Sequence, residues 1–264
     1  MLRDLRFGRT ALVVLLAFAL CGCGVGEDRT VEDVSEQTYP LDRDATFRIK
    51  NLDGSIRIYG SDTSQMIVQT IKKAYSAQRL KEIVARISVE PGLAQIDTIY
   101  PPLPRRWSLA DRSGTVDYII VIPQTCRLAS VELANGEILI EGMRGPGVNA
   151  RLNSGRLVGH NCFGDLNLAV VTGNLDLFFE WWEEEKSSVL GEVVNGNIFA
   201  TLPDDSSFTL DAKTVNGQIG SDYGERDESA SEPIRHLQTA FGPDVRSDIK
   251  IHTTNGNIKI EETF

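Results

Sequence analysis

Long apolar runs are missing from this chain. The longest, Ala11 to Leu20, has ten residues, half of the roughly 20 that a helix needs to cross a bilayer. Histidine is scarce, and His160, His236 and His252 fall at unrelated offsets from the glycines described below. They are expected to stand alone and exposed, which implies no shared metal or acid–base face. A P-loop, a dinucleotide fingerprint and a nucleophile elbow are all absent. Basic charge is in deficit, with 27 Lys and Arg against 37 Asp and Glu, so the chain offers no stripe for a phosphate backbone and nucleic acid is excluded as a partner.

What the chain does have is a recurring turn. Seven glycines are each followed two residues later by Ile or Leu: Gly54/Ile56, Gly136/Ile138, Gly155/Leu157, Gly173/Leu175, Gly196/Ile198, Gly217/Ile219 and Gly256/Ile258. The residue before each glycine is small or turn-forming, and the one after it is polar. Between Gly136 and Gly217 the intervals are 19, 18, 23 and 21 residues, close to one coil of a β-solenoid. Stacked coils place equivalent residues about 4.8 Å apart, which explains why one residue type recurs at one offset. The expected fold is therefore all-β, a β-solenoid or β-helix of about 20-residue repeats, with the +2 residues inward and their polar neighbours outward. An antiparallel sandwich or meander stays open, because Asn-Gly before alternating apolar residues is also a hairpin signal. In the solenoid, Ile198 and Ile219 are expected on consecutive coils, touching each other. Cys126 and Cys162 would sit two coils apart, about 9 to 10 Å, too far for a disulfide.

The N-terminus speaks of location. Arg3, Arg6 and Arg9 precede the apolar run, which ends in Leu20-Cys21-Gly22-Cys23, the layout of a signal peptide. It resembles the lipobox of bacterial lipoproteins, with Cys23 as the lipidated residue; Cys21 would put Leu20 at the position that wants a small residue. Residues 1–22 would be removed, 23–38 would form an acidic tether, and 39–264 would be a single domain. The leader holds three Arg and one Asp, leaving 24 basic and 36 acidic residues and a formal net charge of −12. Two or more acyl chains, palmitate among them, make anchoring effectively stable. Gly24 stands where inner-membrane retention signals commonly carry Asp, which by that resemblance points to the outer membrane.

Between the first turn and the regular coils, alternation marks strands at Met66 to Ala74, Arg86 to Val89 and Ala94 to Tyr100, and the spacing of Leu80, Ile83 and Val84 predicts a short helix over Ala77 to Ala85. The strand Val116-Asp117-Tyr118-Ile119-Ile120-Val121-Ile122-Pro123 and the Gly-x-Ile/Leu units that begin at Ala134-Asn135-Gly136-Glu137-Ile138 resemble the bacterial "putative adhesin" domain family. The resemblance covers roughly residues 47–260. It implies a β-helix-like body on secreted or membrane-tethered proteins and no established activity, cofactor or metal. The pattern breaks after Gly217, where the next turn, Gly256, is 39 residues away. A missing turn would fall near His236 and Leu237, and the polar stretch 222–247 reads as disordered.

Candidate site residues are few. Asp165 and Asp176 are the core-repeat aspartates that could begin a polysaccharide-cleaving site, but no third carboxylate stands in register, so no catalytic residue is assigned. The cluster Phe178-Phe179-Glu180-Trp181-Trp182-Glu183-Glu184-Glu185 occupies the longest of the four regular intervals. Trp181 and Trp182 could be exposed for stacking on a glycan or anchoring a protein, or they could cap the core. The expectation is a non-enzymatic, lipid-anchored envelope protein that serves adhesion, scaffolding or partner binding. The alternative is a glycan-binding or glycan-cleaving β-helix.

Overall fold

The computed structural model describes residues 30–101, 113–223 and 233–263. The leader, Cys23 and residues 224–232 lie outside them. The chain opens with β1 (Val31–Pro40), β2 (Thr46–Ser61), β3 (Gln65–Ala74), α1 (Ala77–Glu82), β4 (Val84–Glu90), β5 (Leu93–Ile99) and β6 (Thr115–Pro123). The long strands β7 (Arg127–Glu141), β8 (Val148–His160) and β9 (Asp165–Phe178) follow. Shorter ones complete it: β10 (Ser188–Asn195), β11 (Ile198–Pro203), β12 (Phe208–Asn216), β13 (Ile219–Ser221), β14 (His236–Phe241), β15 (Ser247–Asn255) and β16 (Ile258–Thr263). The fold is a β-solenoid-like stack, nearly all strand, with one short helix.

Each coil folds at its glycine into two strands that face one another across the core. Because β2, β7, β8 and β9 run through the corner, they belong to both sides. Wall A reads β4-β5-β2-β7-β8-β9-β10-β15-β12-β14, and wall B reads β1-β3-β6-β2-β7-β8-β9-β11-β16-β13. Coil strands pair in parallel, while β1, β3, β4 and β14 finish the walls in antiparallel pairing. In wall B the +2 residues form the expected inward ladder, Ile56, Ile138, Leu157, Leu175, Ile198, Ile258 and Ile219, all buried. Wall A supplies the facing ladder five residues before each glycine, through Ile49, Val131, Ala150, Leu168, Gly191, Ile251 and Ala212.

The glycine is required by the stacking itself. At Gly155, φ is +133° and a Cβ would lie 1.9 Å from the carbonyl oxygen of Gly136; at Gly173 the distance to the Gly155 oxygen would be 1.8 Å. No side chain fits between corners this close, and L-residues avoid that backbone region. Beside the glycines, side-chain amides join rung to rung: Asn135 donates to Asp53 (2.8 Å), Asn255 to Asn195 (2.8 Å) and Asn216 to Asn255 (2.7 Å). Where the inward position before the corner is a threonine, its hydroxyl is satisfied by the neighbouring rung. Thr253 donates to the Gly196 carbonyl (2.9 Å) and Thr214 to that of Gly256 (2.8 Å).

Three expectations change. Ile198 and Ile219 are not neighbours, because the last coil is threaded between theirs: Ile198 pairs with Ile258, and Ile258 with Ile219. The 39-residue gap is the length of that detour. After β13 the chain returns as β14, antiparallel to β12 at the edge of wall A, and then enters as β15 between β10 and β12. Residues 236–241 and 247 are thus strand, where polarity had suggested disorder. Finally, 31–38 of the acidic tether is strand. Its side chains face solvent on both sides, so no apolar alternation marks it, and it is held by backbone pairing from Val31↔Ala74 to Pro40↔Gln65. Lys72 also pairs with Asp33 at 2.8 Å.

Cys126 and Cys162 are free and buried. Their thiols meet different carbonyls, that of Asp42 for Cys126 (3.6 Å) and that of Ile140 for Cys162 (3.4 Å). Burial pushes both thiols up to about 11.

Candidate functional site

Opposite the glycine corners, the second edge of the stack carries wall B back to wall A. Most crossings there are tight, such as Asn161 to Gly164. The crossing after β9 is longer and carries the aromatic and acidic cluster of the sequence. Core closure explains its composition. Phe179 is 4% exposed and packs against Phe163 (5.5 Å between ring centres) and Trp182 (5.7 Å). Trp182 continues to Phe208 (5.8 Å), and Phe208 meets Tyr223 (5.2 Å) and Phe241 (6.0 Å). This line of rings fills the gap between the walls where the inward aliphatic ladders end. Tyr223 donates its hydroxyl to the Leu202 carbonyl at 2.9 Å, and burial raises it to about 12.

The two tryptophans therefore part. Trp182 is half-buried in this line of rings, whereas Trp181 turns outward and is 44% exposed. Exposure does not leave it loose. Its indole N–H donates to Glu183 (3.2 Å), and the same carboxylate oxygen accepts from Arg144 Nη2 at 2.7 Å and Nε at 3.0 Å. The Arg144 guanidinium lies 5.4 Å from the Phe163 ring and 6.0 Å from Trp181, a cation–π arrangement. The indole is thus held by Glu183, Arg144 and the Phe163 ring, 6.3 Å away between ring centres, while Trp181 stays 44% exposed.

Beside Trp182 lies a cavity of about 130 Å³ lined by Glu184, Asp205, Ser207, Asp244 and Arg246. That volume falls below the several hundred Å³ of ordinary small-molecule sites. It offers carboxylates and one guanidinium, enough for hydroxyl or amide groups at the edge of a larger partner.

The other candidates separate. Asp165 begins the wall A part of β9, while Asp176 lies in its wall B part, paired with Arg156; they do not form a carboxylate pair. The histidines are not solitary. His236 Nε2 lies 3.0 Å from Asp211 Oδ1, and His252 Nε2 lies 3.9 Å from the same oxygen. Burial pulls the Asp211 carboxyl upward, but hydrogen bonds from Gln238 and His236 and the charges of the two imidazoles outweigh it and hold the group below the usual carboxylate range. His160 stands between Glu141 (3.6 Å) and Glu180 (3.3 Å). Among the described residues, no group of three or more His, Cys, Asp or Glu side chains is placed to hold a metal ion. The sequence reading missed Arg144 and Phe163 and held Glu183 only as part of the acidic run; the one available signal was the Arg144 and Phe163 corners, one coil apart.

A family model described as Toastrack DUF4097 matches residues 37–261. No curated protein matches the chain. Among solved structures, a "putative cell adhesion protein" from Clostridium sporogenes ATCC 15579 is similar at 13% identity, covering 88% of this chain and 100% of that one with a TM-score of 0.52. A "putative adhesin" from Bacteroides fragilis NCTC 9343 aligns at 10% identity over 87% and 97% of the two chains, with a TM-score of 0.28. The first likeness is one of fold; the second is too weak to carry even that.

Proposed function

We propose, from the premise that the chain belongs to the Toastrack DUF4097 family, that it is a non-enzymatic, lipid-anchored envelope protein that adheres to its partner through the edge bearing Trp181. The observation that carries this reading is an exposed indole fixed by Glu183, Arg144 and Phe163. An aromatic ring already ordered loses little freedom when a sugar face or a flat apolar surface covers it. The carboxylates and Arg246 around the small cavity next to Trp182 supply polar contacts at the rim.

The anchor reading rests on Cys23 and the leader before it. From Cys23 to Val31 the chain can reach about 28 Å at most, so the β1 end of the stack would stay close to the membrane, taken to be the outer one. Among the described residues no helix is long and apolar enough to cross a membrane. Replacement Cys23→Ser should abolish incorporation of labelled acyl chains; label retained by that variant removes the assignment. The adhesion reading is tested on a glycan array with the chain from residue 24 onward. Binding that drops at least tenfold in Trp181→Ala, with unchanged melting temperature, supports it. A silent array, or binding indifferent to Trp181, removes this edge as the glycan-adhesive face.

A further inference from the structure

The outer face of wall B carries a second surface, which adjoins the crossing that bears Trp181 at Phe179 and Glu180. Three residues after the corner, successive rungs present Ile119, Arg57, Leu139, Val158, Asp176 and Phe199. This row, apolar at four of its six rungs and bordered beyond Phe199 by Lys259, crosses six strands, about 24 Å at 4.8 Å per strand. At its centre a groove of about 330 Å³ is floored by Leu139, Val158, Phe178 and Phe179, with Glu141 and Glu180 at its rim and His160 between them. Val158 is only 7% exposed although it points away from the core.

Charge sets this groove apart from the rungs beside it. On the wall B parts of β7, β8 and β9 the other carboxylates meet a cation, Glu137 with Arg57 (3.7 Å) and Asp176 with Arg156. Neither Lys nor Arg lines the groove. Glu141 and Glu180 share only the His160 imidazole, and Asn161 adds an amide donor to Glu180 at 3.3 Å.

We infer that this groove docks a basic, amphipathic segment of a partner protein, with an Arg or Lys head resting on the outer side of His160 within reach of Glu141 and Glu180, and aliphatic side chains along the row. A long basic side chain satisfies both halves of the site at once. Its stem lies on Leu139 and Val158, and its head reaches the two carboxylates beside the Phe178 ring. Arginine suits the place best, since its planar fork can meet a carboxylate with two parallel hydrogen bonds. The acidic rim disfavours an acidic segment and an anionic lipid surface alike.

The test is isothermal titration of the chain from residue 24 onward with two synthetic octapeptides, one alternating Leu with Arg and the other Leu with Glu. The Leu/Arg peptide should bind at least tenfold more tightly, and its affinity should fall as salt rises. The double variant Glu141→Gln/Glu180→Gln should lose about tenfold, while Glu132→Gln/Glu192→Gln, the same charge change on wall A, should not. Equal binding of the two peptides, or equal losses in the two double variants, overturns the inference, the latter because it would report only the chain's overall negative charge. Sedimentation without peptide gives an independent reading. A dimer dissolved by Glu141→Gln/Glu180→Gln would make a second copy the occupant and would also overturn it.

Discussion

Walls A and B are cut from the same coils, yet they differ where they face water. Inside, both present ladders of aliphatic side chains at the same spacing. Outside, the rungs four residues before the corner on wall A read Lys50, Glu132, Arg151, Ala169, Glu192, His252 and Lys213. The matching rungs of wall B read Ile119, Arg57, Leu139, Val158, Asp176, Phe199 and Lys259, with apolar side chains at four of the seven. Strand alternation makes the inner and outer sets independent. The inner set carries most of the stacking stability, and the outer set is freer to differ from wall to wall. On wall B the apolar rungs Leu139 and Val158 lie side by side in the groove rimmed by Glu141 and Glu180, whereas wall A's exposed apolar side chains, Val171, Val194 and Val215, stand two residues before the corner glycines.

The comparison can be broken first at the corner that the walls share. Gly155→Ala should cost more than about 4 kcal/mol, because its Cβ would sit 1.9 Å from the Gly136 oxygen. Both walls should unfold together in chemical denaturation, and survival of either alone would show that they are separate units. Next come the inward ladders. Ile258→Ala in wall B and Ile251→Ala in wall A should each cost about 2 to 5 kcal/mol, and equal losses are expected since both residues are fully buried.

A sharper contrast lies within one strand, β8. Val158→Ala on the outer face of wall B should cost about 1 to 2 kcal/mol, whereas Arg151→Ala on the outer face of wall A should stay within about 0.5 kcal/mol. Similar values for the two would erase the distinction between the faces. The smallest effect belongs to wall A in acid. Asp211 is held below its ordinary value, so its contribution is present above the usual carboxylate pKa of about 4 and fades as pH falls through the lower folded value. Melting temperature should therefore decline less steeply below about pH 4 in Asp211→Asn than in the parent chain, and parallel curves would remove this carboxylate from the account.

The corners were legible because their requirement is local. A positive φ and the close approach of the next rung exclude every residue but glycine, and the strand that follows must turn its second residue inward. The order of the coils was not legible, since it depends on which rung meets which. Asn195, Asn216 and Asn255 each precede a glycine that is followed by a similar polar amide, Asn197, Gln218 and Asn257, so nothing local says that Gly256 lies between Gly196 and Gly217. Only the 39-residue interval, about two coils long, hinted that extra chain was being routed elsewhere. The meeting of His236 and His252 at Asp211 follows from that order and was hidden with it. Trp181 and Trp182 could not be told apart by type; the crossing turns one toward Phe208 and the other toward Arg144. β1 escaped because both of its faces are polar, and pairing of its backbone leaves no mark in the pattern of side chains.

The threaded coil has a consequence for how the molecule is made. As the chain is synthesised from its N-terminus, β7, β8 and β9 can stack in the order in which they emerge. The layer that separates β10 from β12 emerges after both of them. Until it does, β12 and β14 have no permanent neighbour on the body, and any direct pairing with β10 must be undone. Such delayed, distant pairing slows folding and prolongs exposure of unpaired strand. A chain interrupted before β15 would lose an interior layer, where an ordinary stack would lose only its outermost, and β15 and β16 act as a seal on everything from β10 onward.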